Sequence, residues 1–356
     1  MKVLIVGCFD LLMHPYSEKY IEIFEKHHID YDMIYWNRSG DRNSEKHLIP
    51  FQFPLNTYSS RVNKLEGYVK YRQFVLRYLK SGEYDRVVFL TTQAMVFFFP
   101  LALGKYRGNY IFDYRDETYE SNRLYREIVQ ACIRNSYKVS ISSPGFIKRF
   151  DASCADKFVL CHNTKNDSGN ISVTKCPSPK TRITYWGQIR LPDYFIKLIR
   201  VFENDPRFEL RFHGEGNAEP LIQYVNENKI TNVFFSGRFH QDDIRKFVSE
   251  TDVLMNCYPN DSYQQQALTV RMYEGIRFGI PMLLQKGSFM SEYLKKYGYP
   301  FIEADFDSAQ EPEQIKERIL GFSDLRVSDH KISDVIRADQ EVFTNMIVKF
   351  IQGDSE

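Results

Sequence analysis

The 356-residue sequence has no long apolar run, no closely paired cysteines and almost no net charge. The apolar stretch Val96–Leu103 is too short to span a bilayer and is interrupted by Pro100. The six cysteines show neither a CxxC pair nor zinc-binding spacing, which is typical of reduced thiols in a cytosolic protein. A net charge of +1 argues against a general nucleic-acid-binding protein. We therefore expect a cytoplasmic protein without nucleic-acid partners.

The charge is nevertheless unevenly distributed along the chain. Residues 1–180 carry roughly +7 and residues 181–356 roughly −6, and most of the positive excess lies between Arg61 and Arg149. A basic face of this kind would attract a phosphate-bearing partner or an anionic membrane surface, the alternative being ordinary surface charge. We interpret Val96–Leu103 as the start of a core helix, with an aromatic patch that touches lipid as the alternative.

The hydrophobic content of 43% and the length are those of a globular chain with two domains. The first ten residues, MKVLIVGCFD, contain an apolar run that is too short for a signal peptide and that indicates a buried strand. Strands and helices then alternate, which predicts parallel sheets covered by helices on both faces. In the first half we predict strands at 2–6, 31–35, 86–91, 110–113 and 139–142, helices at 16–28, 64–81, 93–103 and 122–134, and an irregular segment at 37–60.

Residues 164–180, rich in Ser, Thr, Asn, Gly and Pro, have the composition of a linker. After them the alternation restarts, with strands at 183–186, 208–213, 233–236, 253–257 and 281–284 and helices at 194–202, 218–228, 241–249 and 269–278. We therefore predict an α/β fold with a Rossmann-like domain at 1–163, a linker at 164–180, a second Rossmann-like domain at 181–330 and a terminal helix at 331–356 that crosses back to the first domain. The expected ligand site is a cleft that the two doubly wound domains face.

The most informative stretch is TVRMYEGIRFGIPMLL, residues 269–284. Glu274 lies in a helical run that Gly279 and Pro281 end, and an apolar strand follows. The acid would lie about one turn from the start of its helix, near the strand ends where open α/β sheets bind ligands. The alternative is an exposed glutamate beside a helix C-cap.

Glycines follow several strands of the second half. Gly187 follows ITYW, Gly214 and Gly216 follow FELRFH, and Gly237 follows VFFS. A glycine at such a place lets the backbone approach a ligand closely, or lets the strand turn sharply into a helix.

This order of motifs resembles the C-terminal domain of the GT-B glycosyltransferases, in particular the retaining group called family 4. The motifs are YWG, HGEG, FFSGRF, TDVLMN and YEGIRFGIPML, and the resemblance covers about residues 181–300. In the first half, DYRDETYE (113–120) is similar to a segment of some capsule and O-antigen glycosyltransferases. The resemblance implies two domains that face each other across a cleft and a nucleotide-sugar as substrate, without metal or cofactor.

The resemblance also implies roles for individual residues. Glu274 would accept hydrogen bonds from the two ribose hydroxyls of a nucleotide-sugar. Arg190 and Arg271 would neutralise the diphosphate that leaves with the nucleotide, and the N–H groups at the helix start near Thr269 would add to this. The remaining implied donor-binding residues are Gly187 and Gly214 in the strand-end loops, Gln266 near the sugar, and Arg238 and Phe239 near the base.

Among the departures from the family pattern, one concerns the partner position of Glu274. The family usually has two glutamates eight positions apart, whereas the partner position of Glu274 is Gln266. An amide can still bond to a sugar hydroxyl, but it carries no charge.

For the acceptor side we look to strand ends of the first half. His14 follows the first strand, and Arg115 and Asp116 follow a central strand. A base among them would orient the acceptor hydroxyl or take its proton. The alternatives are a loop histidine beside a proline and a local surface ion pair.

Three functions fit these residues. The first is a glycosyltransferase of cell-surface polysaccharide synthesis. Its acceptor would be a glycan or a lipid-linked glycan at the inner membrane face, where the protein would make peripheral contact. The second is a transferase-shaped subunit without catalysis that assists a partner transferase. The third is a nucleotide-sugar epimerase, which would need a second carboxylate near Glu274 that the sequence does not obviously offer.

Overall fold

The computed structural model of the protein describes residues 1–40, 46–55, 59–164, 171–260, 263–306, 312–327 and 331–353. The chain divides into two compact units. Unit 1 comprises residues 1–162 together with the chain from Ala338 onwards, and unit 2 comprises Asn163–Arg337. Of the predicted linker, residues 165–170 lie outside the described part, as do residues 354–356 of the predicted terminal helix.

Unit 1 contains a seven-stranded parallel sheet with the order β3-β2-β1-β4-β5-β6-β7. Its strands are β1 (Lys2–Gly7), β2 (Asp30–Asn37), β3 (Leu48–Gln52), β4 (Arg86–Leu90), β5 (Tyr110–Tyr114), β6 (Lys138–Ile141) and β7 (Phe158–Leu160). Its helices are α1 (Ser17–Lys26), α2 (Arg61–Ser81), α3 (Thr91–Leu103) and α4 (Arg123–Asn135). The strand order reverses between β1 and β4, as in doubly wound folds.

Unit 2 contains a six-stranded parallel sheet with the order β10-β9-β8-β11-β12-β13. Its strands are β8 (Thr181–Trp186), β9 (Phe208–His213), β10 (Val233–Gly237), β11 (Val253–Met255), β12 (Met282–Gln285) and β13 (Phe301–Ala304). Its helices are α5 (Pro192–Phe202), α6 (Glu219–Glu227), α7 (Ile244–Ser249), α8 (Val270–Phe278), α9 (Phe289–Lys296) and α10 (Pro312–Phe322). Here the order reverses between β8 and β11.

The last helix, α11 (Lys331–Gln352), contributes to both cores. Ile332 and Ile336 belong to an apolar cluster of unit 2, whereas Phe343, Ile347 and Phe350 are buried with β1 and α1 in unit 1. The α/β prediction and the two doubly wound sheets are thus confirmed.

The prediction of an irregular segment at 37–60, of which residues 41–45 and 56–58 lie outside the described part, was wrong in its middle. The segment 37–60 is not irregular throughout, because it includes β3, whose five residues are LIPFQ. A strand this short, with Pro50 in its middle, is tolerated only at an edge, and β3 is the edge strand beside β2. The stretch Val96–Leu103 lies in α3, with Phe98 buried. None of the described helices is long and apolar enough to cross a membrane.

Candidate active site

Four of the sequence-predicted donor residues of unit 2 lie around the carboxyl ends of β8 and β11, where the strand order reverses: Gly187, Thr269, Arg271 and Glu274. In open α/β sheets this switch point leaves a crevice that ligands occupy. Helix α8 reaches it because Thr269 caps the helix, its hydroxyl accepting from the N–H of Met272 (3.2 Å) and donating to Asn256 (2.9 Å). The cap therefore fixes α8 to the end of β11, and with it Arg271 and Glu274.

Arg271 is a buried cation, with 8% of its surface exposed. Its Nη1 donates to the carbonyl oxygen of Trp186 (2.5 Å), its Nη2 bonds to the hydroxyl of Tyr258, and its Cζ lies 3.9 Å from the centroid of the Tyr185 ring. Its Nε has no hydrogen-bond partner, and no carboxylate in the described ranges forms a salt bridge with it. A buried guanidinium held by a carbonyl, a phenol and a ring keeps positive charge that an anionic ligand would neutralise.

Glu274 lies one helical turn further along α8 and is half-buried. The indole Nε1 of Trp186 donates to its Oε2 at 2.6 Å. Burial raises the pKa of the Glu274 carboxyl, and the Trp186 hydrogen bond and the charge of Arg271 oppose that rise only in part. One carboxylate oxygen is thus fixed by the indole, and the group is positioned to accept further donors from a ligand.

The loop after β8 is pinned to the loop after β9. The N–H of Gly187 donates to His213 O (2.9 Å), and that of Ile189 donates to Glu215 O (2.8 Å). Gly214 has a φ of +144°, and a Cβ at this position would lie 1.9 Å from the carbonyl oxygen of Gly187. Glycine is therefore required for the two loops to meet at the crevice.

Three predicted residues lie further from the switch point, Arg190 after β8 and Arg238 and Phe239 after β10. Arg190 is exposed, and its Nε and Nη2 donate to Oε1 of Gln188 at 2.9 and 2.7 Å. Arg238 is exposed after β10, whereas Phe239 is half-buried against Phe247, with ring centroids 5.3 Å apart.

Gln266 is half-buried and ends the short 3-10 helix Tyr263–Gln266, three residues before the cap of α8. A neutral side chain thus lies just before α8, the helix that contains Glu274.

Sequence reasoning missed several residues of this site. Trp186 and Tyr258 hold Glu274 and Arg271, and His213 stacks on Phe247 with centroids 3.7 Å apart. Burial, together with the charge of Arg211, lowers the pKa of His213 to about 4, so the imidazole is neutral at pH 7. Its Nδ1 pairs with the hydroxyl of Ser236 at 2.8 Å, and its buried Nε2 has no hydrogen-bond partner among the residues that the structure describes. A Trp at a strand end, whose N–H needs an acceptor, was the available signal.

In unit 1, His14 is completely buried. Its Nε2 accepts from the N–H of Phe9 (3.2 Å), which leaves the proton on Nδ1, paired with the hydroxyl of Tyr16 (2.9 Å). Burial, with a smaller effect of Arg38, lowers the pKa of His14 to about 4. These bonds favour a structural role, and a catalytic role for His14 stays a prediction.

Arg115 and Asp116 follow β5 but have different surroundings. Arg115 is buried and paired through its Nε and Nη2 with Asp113, the Nη2 bond measuring 2.8 Å, and its Nη1 donates to Cys161 O at 3.0 Å. Tyr20 (2.5 Å) and Ser140 (3.1 Å) also donate to Asp113. Although burial opposes the charge, Asp113 keeps the pKa of Arg115 well above its usual range. The Arg115 pair is therefore internal rather than a surface pair, whereas Asp116 is exposed.

Comparison with solved structures places this architecture among GT-B folds. Sucrose-phosphate synthase from Thermosynechococcus elongatus aligns with a TM-score of 0.69 at 13% identity, over 99% of this chain and 98% of that one. Anabaena HepE, solved with UDP and glucose, aligns with a TM-score of 0.62 at 14% identity, over 99% and 98%. WaaG, a glycosyltransferase involved in lipopolysaccharide biosynthesis, aligns with a TM-score of 0.60 at 13% identity, over 98% and 99%.

At such identities the likeness establishes the fold alone. No protein-family model and no curated protein matches the sequence. The GT-B fold is confirmed, and the assignment to family 4 stays a prediction.

The contact between Gly187 and Gly214 makes a stability prediction. Gly214→Ala should destabilise unit 2 by about 3 kcal/mol, because the new Cβ meets a backbone oxygen and φ is unfavourable for alanine. The measurement is urea unfolding followed by the fluorescence of Trp186, in a Trp36→Phe background.

The matched control is Gly321→Ala in α10, where an added Cβ has no atom within 4 Å. This variant should be neutral or slightly stabilised, since alanine is the better helix former. Equal unfolding midpoints for Gly214→Ala and the parent would contradict the requirement for glycine at position 214.

Proposed function

We propose that this protein is a glycosyltransferase that moves a sugar from a nucleotide-sugar donor to a glycan or lipid-linked glycan, in cell-surface polysaccharide synthesis. The proposal rests on the position of Arg271 and Glu274, one helical turn apart, at the switch point of unit 2. A buried cation without a carboxylate partner suits a diphosphate, and a carboxylate one turn away suits a ribose diol. Among the structural neighbours, HepE has been solved with UDP-glucose, which supports a donor of this class.

The proposed reaction needs little covalent chemistry from the protein. The bond between the anomeric carbon and the diphosphate oxygen breaks, and the acceptor oxygen bonds to the same carbon. Arg271 would stabilise the charge on the departing diphosphate, assisted by Arg190 and by the backbone N–H groups at the start of α8, next to the cap Thr269. The acceptor proton would pass to a base or to the departing phosphate.

The remaining donor contacts belong to the same proposal. Gly187 and Gly214 would let backbone approach the donor, Gln266 would bond to a sugar hydroxyl, and Arg238 and Phe239 would border the base. We propose retention of the anomeric configuration and no metal or cofactor. On the acceptor side Asp116 is the proposed base, because it is exposed, while Arg115 and His14 would keep a role in holding that edge of unit 1.

A second candidate is a non-catalytic GT-B subunit that binds nucleotide or glycan and assists a partner transferase. Gln266, neutral where the family usually has a carboxylate, favours it. Turnover separates the two, since a subunit without catalysis binds nucleotide but neither hydrolyses nor transfers from any sugar nucleotide.

Donor binding can be tested by thermal shift with UDP, GDP, ADP and their common sugars. One nucleotide should raise the melting temperature of the wild type, since a ligand that binds only the folded state stabilises it. The rise should disappear in Glu274→Ala and persist in Glu227→Ala, an exposed glutamate at the end of α6. The absence of a shift with every nucleotide would contradict the donor site, and a shift without hydrolysis or transfer would favour the second candidate.

Donor affinity should also depend on pH. The folded-state pKa of Glu274 is raised, so the carboxylate takes up its proton at a higher pH than an ordinary glutamate, for which the value is about 4.3. Affinity should therefore be constant above the raised pKa and should fall as pH decreases through it.

Isothermal titration with a sugar nucleotide measures this profile. A free nucleoside diphosphate is unsuitable, because its terminal phosphate itself titrates at about pH 6. Glu274→Gln should bind more weakly and lose the pH dependence over this window. A wild-type profile that coincides with that of Glu274→Gln would refute the role of the carboxylate.

A further inference from the structure

Helix α2 has a buried side and an apolar exposed side. Gly67, Tyr71, Val75 and Leu79 recur every four residues and are buried. At Gly67 an added Cβ would lie 2.8 Å from Cζ2 of Trp36, so the helix packs closely on the sheet. The buried side of α2 therefore packs fully against the sheet, and this packing does not account for the apolar residues on the exposed side.

The exposed side contains Val62, Leu65 and Val69, with 74%, 67% and 48% of their surfaces exposed. Their spacing of three and four residues places them in one stripe along the first turns of the helix. Apolar side chains scattered singly on a surface need no explanation, whereas a contiguous apolar stripe is typical of an interaction surface.

The charge of α2 indicates the partner. Its sequence, RVNKLEGYVKYRQFVLRYLKS, contains six cationic side chains and one acid, Glu66, which pairs with Lys70 at 2.6 Å. Arg61 and Arg72, both exposed, adjoin the apolar stripe at its two ends.

We infer that the stripe of Val62, Leu65 and Val69, with Arg61 and Arg72 beside it, is a surface that docks on an anionic lipid bilayer. Apolar side chains of a surface helix enter the boundary between headgroups and acyl chains, and flanking cations bind anionic headgroups. A second copy of the chain fits less well, because a twofold interface would bring the same cationic face against itself. The inference extends the proposed function, since a lipid-linked acceptor lies at such a surface, but its evidence lies in α2 alone.

Vesicle cosedimentation tests the surface without any nucleotide. The wild type should bind vesicles of phosphatidylglycerol and phosphatidylethanolamine, and should bind phosphatidylcholine vesicles weakly. The double variant Val62→Ser/Leu65→Ser should lose roughly tenfold or more in partition coefficient. Arg61→Glu/Arg72→Glu should lose binding to the anionic vesicles, and raised salt should weaken the wild type in the same way.

The matched control is Leu325→Ser/Val342→Ser, which removes one Leu and one Val with 38% and 57% exposure elsewhere on the chain. It should bind vesicles as the wild type does. Equal binding by the Val62/Leu65 variant and the wild type, or no binding of the wild type to anionic vesicles, would overturn the inference.

Two further readouts separate this inference from other failures. Gel filtration compares the wild type with Val62→Ser/Leu65→Ser and with the control Leu325→Ser/Val342→Ser. A dimer that only Val62→Ser/Leu65→Ser dissociates would replace the bilayer by a second copy of the chain as the partner. Circular dichroism and the nucleotide thermal shift check folding and the donor site separately. Vesicle binding without a nucleotide shift would leave the surface valid and the proposed function refuted, and the reverse result would refute the surface alone.

Discussion

The candidate site depends on the contacts that the buried guanidinium of Arg271 makes with Trp186, Tyr258 and Tyr185. This guanidinium joins three elements at the switch point, since it bonds to the end of β8 through Trp186, to the residues after β11 through Tyr258, and to α8 through its own backbone. The ring of Tyr185 offsets part of the desolvation cost, typically by about 0.5–2 kcal/mol. A carboxylate partner would have stabilised the cation more simply but would have neutralised it, so the fold retains positive charge at the switch point of unit 2.

In unit 1, by contrast, a buried arginine is neutralised by a carboxylate. Arg115 at the end of β5 is neutralised by Asp113, and that carboxylate also accepts from Tyr20 and Ser140. Every strong donor and acceptor of this pair has an internal partner, which favours a rigid strand end over a ligand-binding charge. The two buried arginines, Arg115 after β5 and Arg271 in α8, therefore differ in chemistry, because among the described residues a carboxylate forms an ion pair with Arg115 only.

The sequence predicted the parallel architecture well, because buried strands and amphipathic helices have distinct periods, and β9 was placed at its observed bounds, Phe208–His213. It missed β3, where Pro50 and an edge position hide the strand signal. Within the candidate site, Arg271 and Glu274 were predicted because the segment that contains them resembles a GT-B motif. Trp186 and Tyr258 were not, since their contacts with α8 join residues 88 and 13 positions apart and depend on how the helix packs against the sheet.

The central claim is that Arg271 and Glu274 together bind the diphosphate and ribose of a sugar nucleotide. A crystal structure with the nucleotide that the binding screen selects would test it most directly. The account predicts a phosphate oxygen within hydrogen-bond distance of the Arg271 guanidinium and ribose hydroxyls on the Glu274 carboxylate, with the Trp186 hydrogen bond retained. A nucleotide bound away from the ends of β8 and β11, with Arg271 still in contact only with Trp186, Tyr258 and Tyr185, would contradict it.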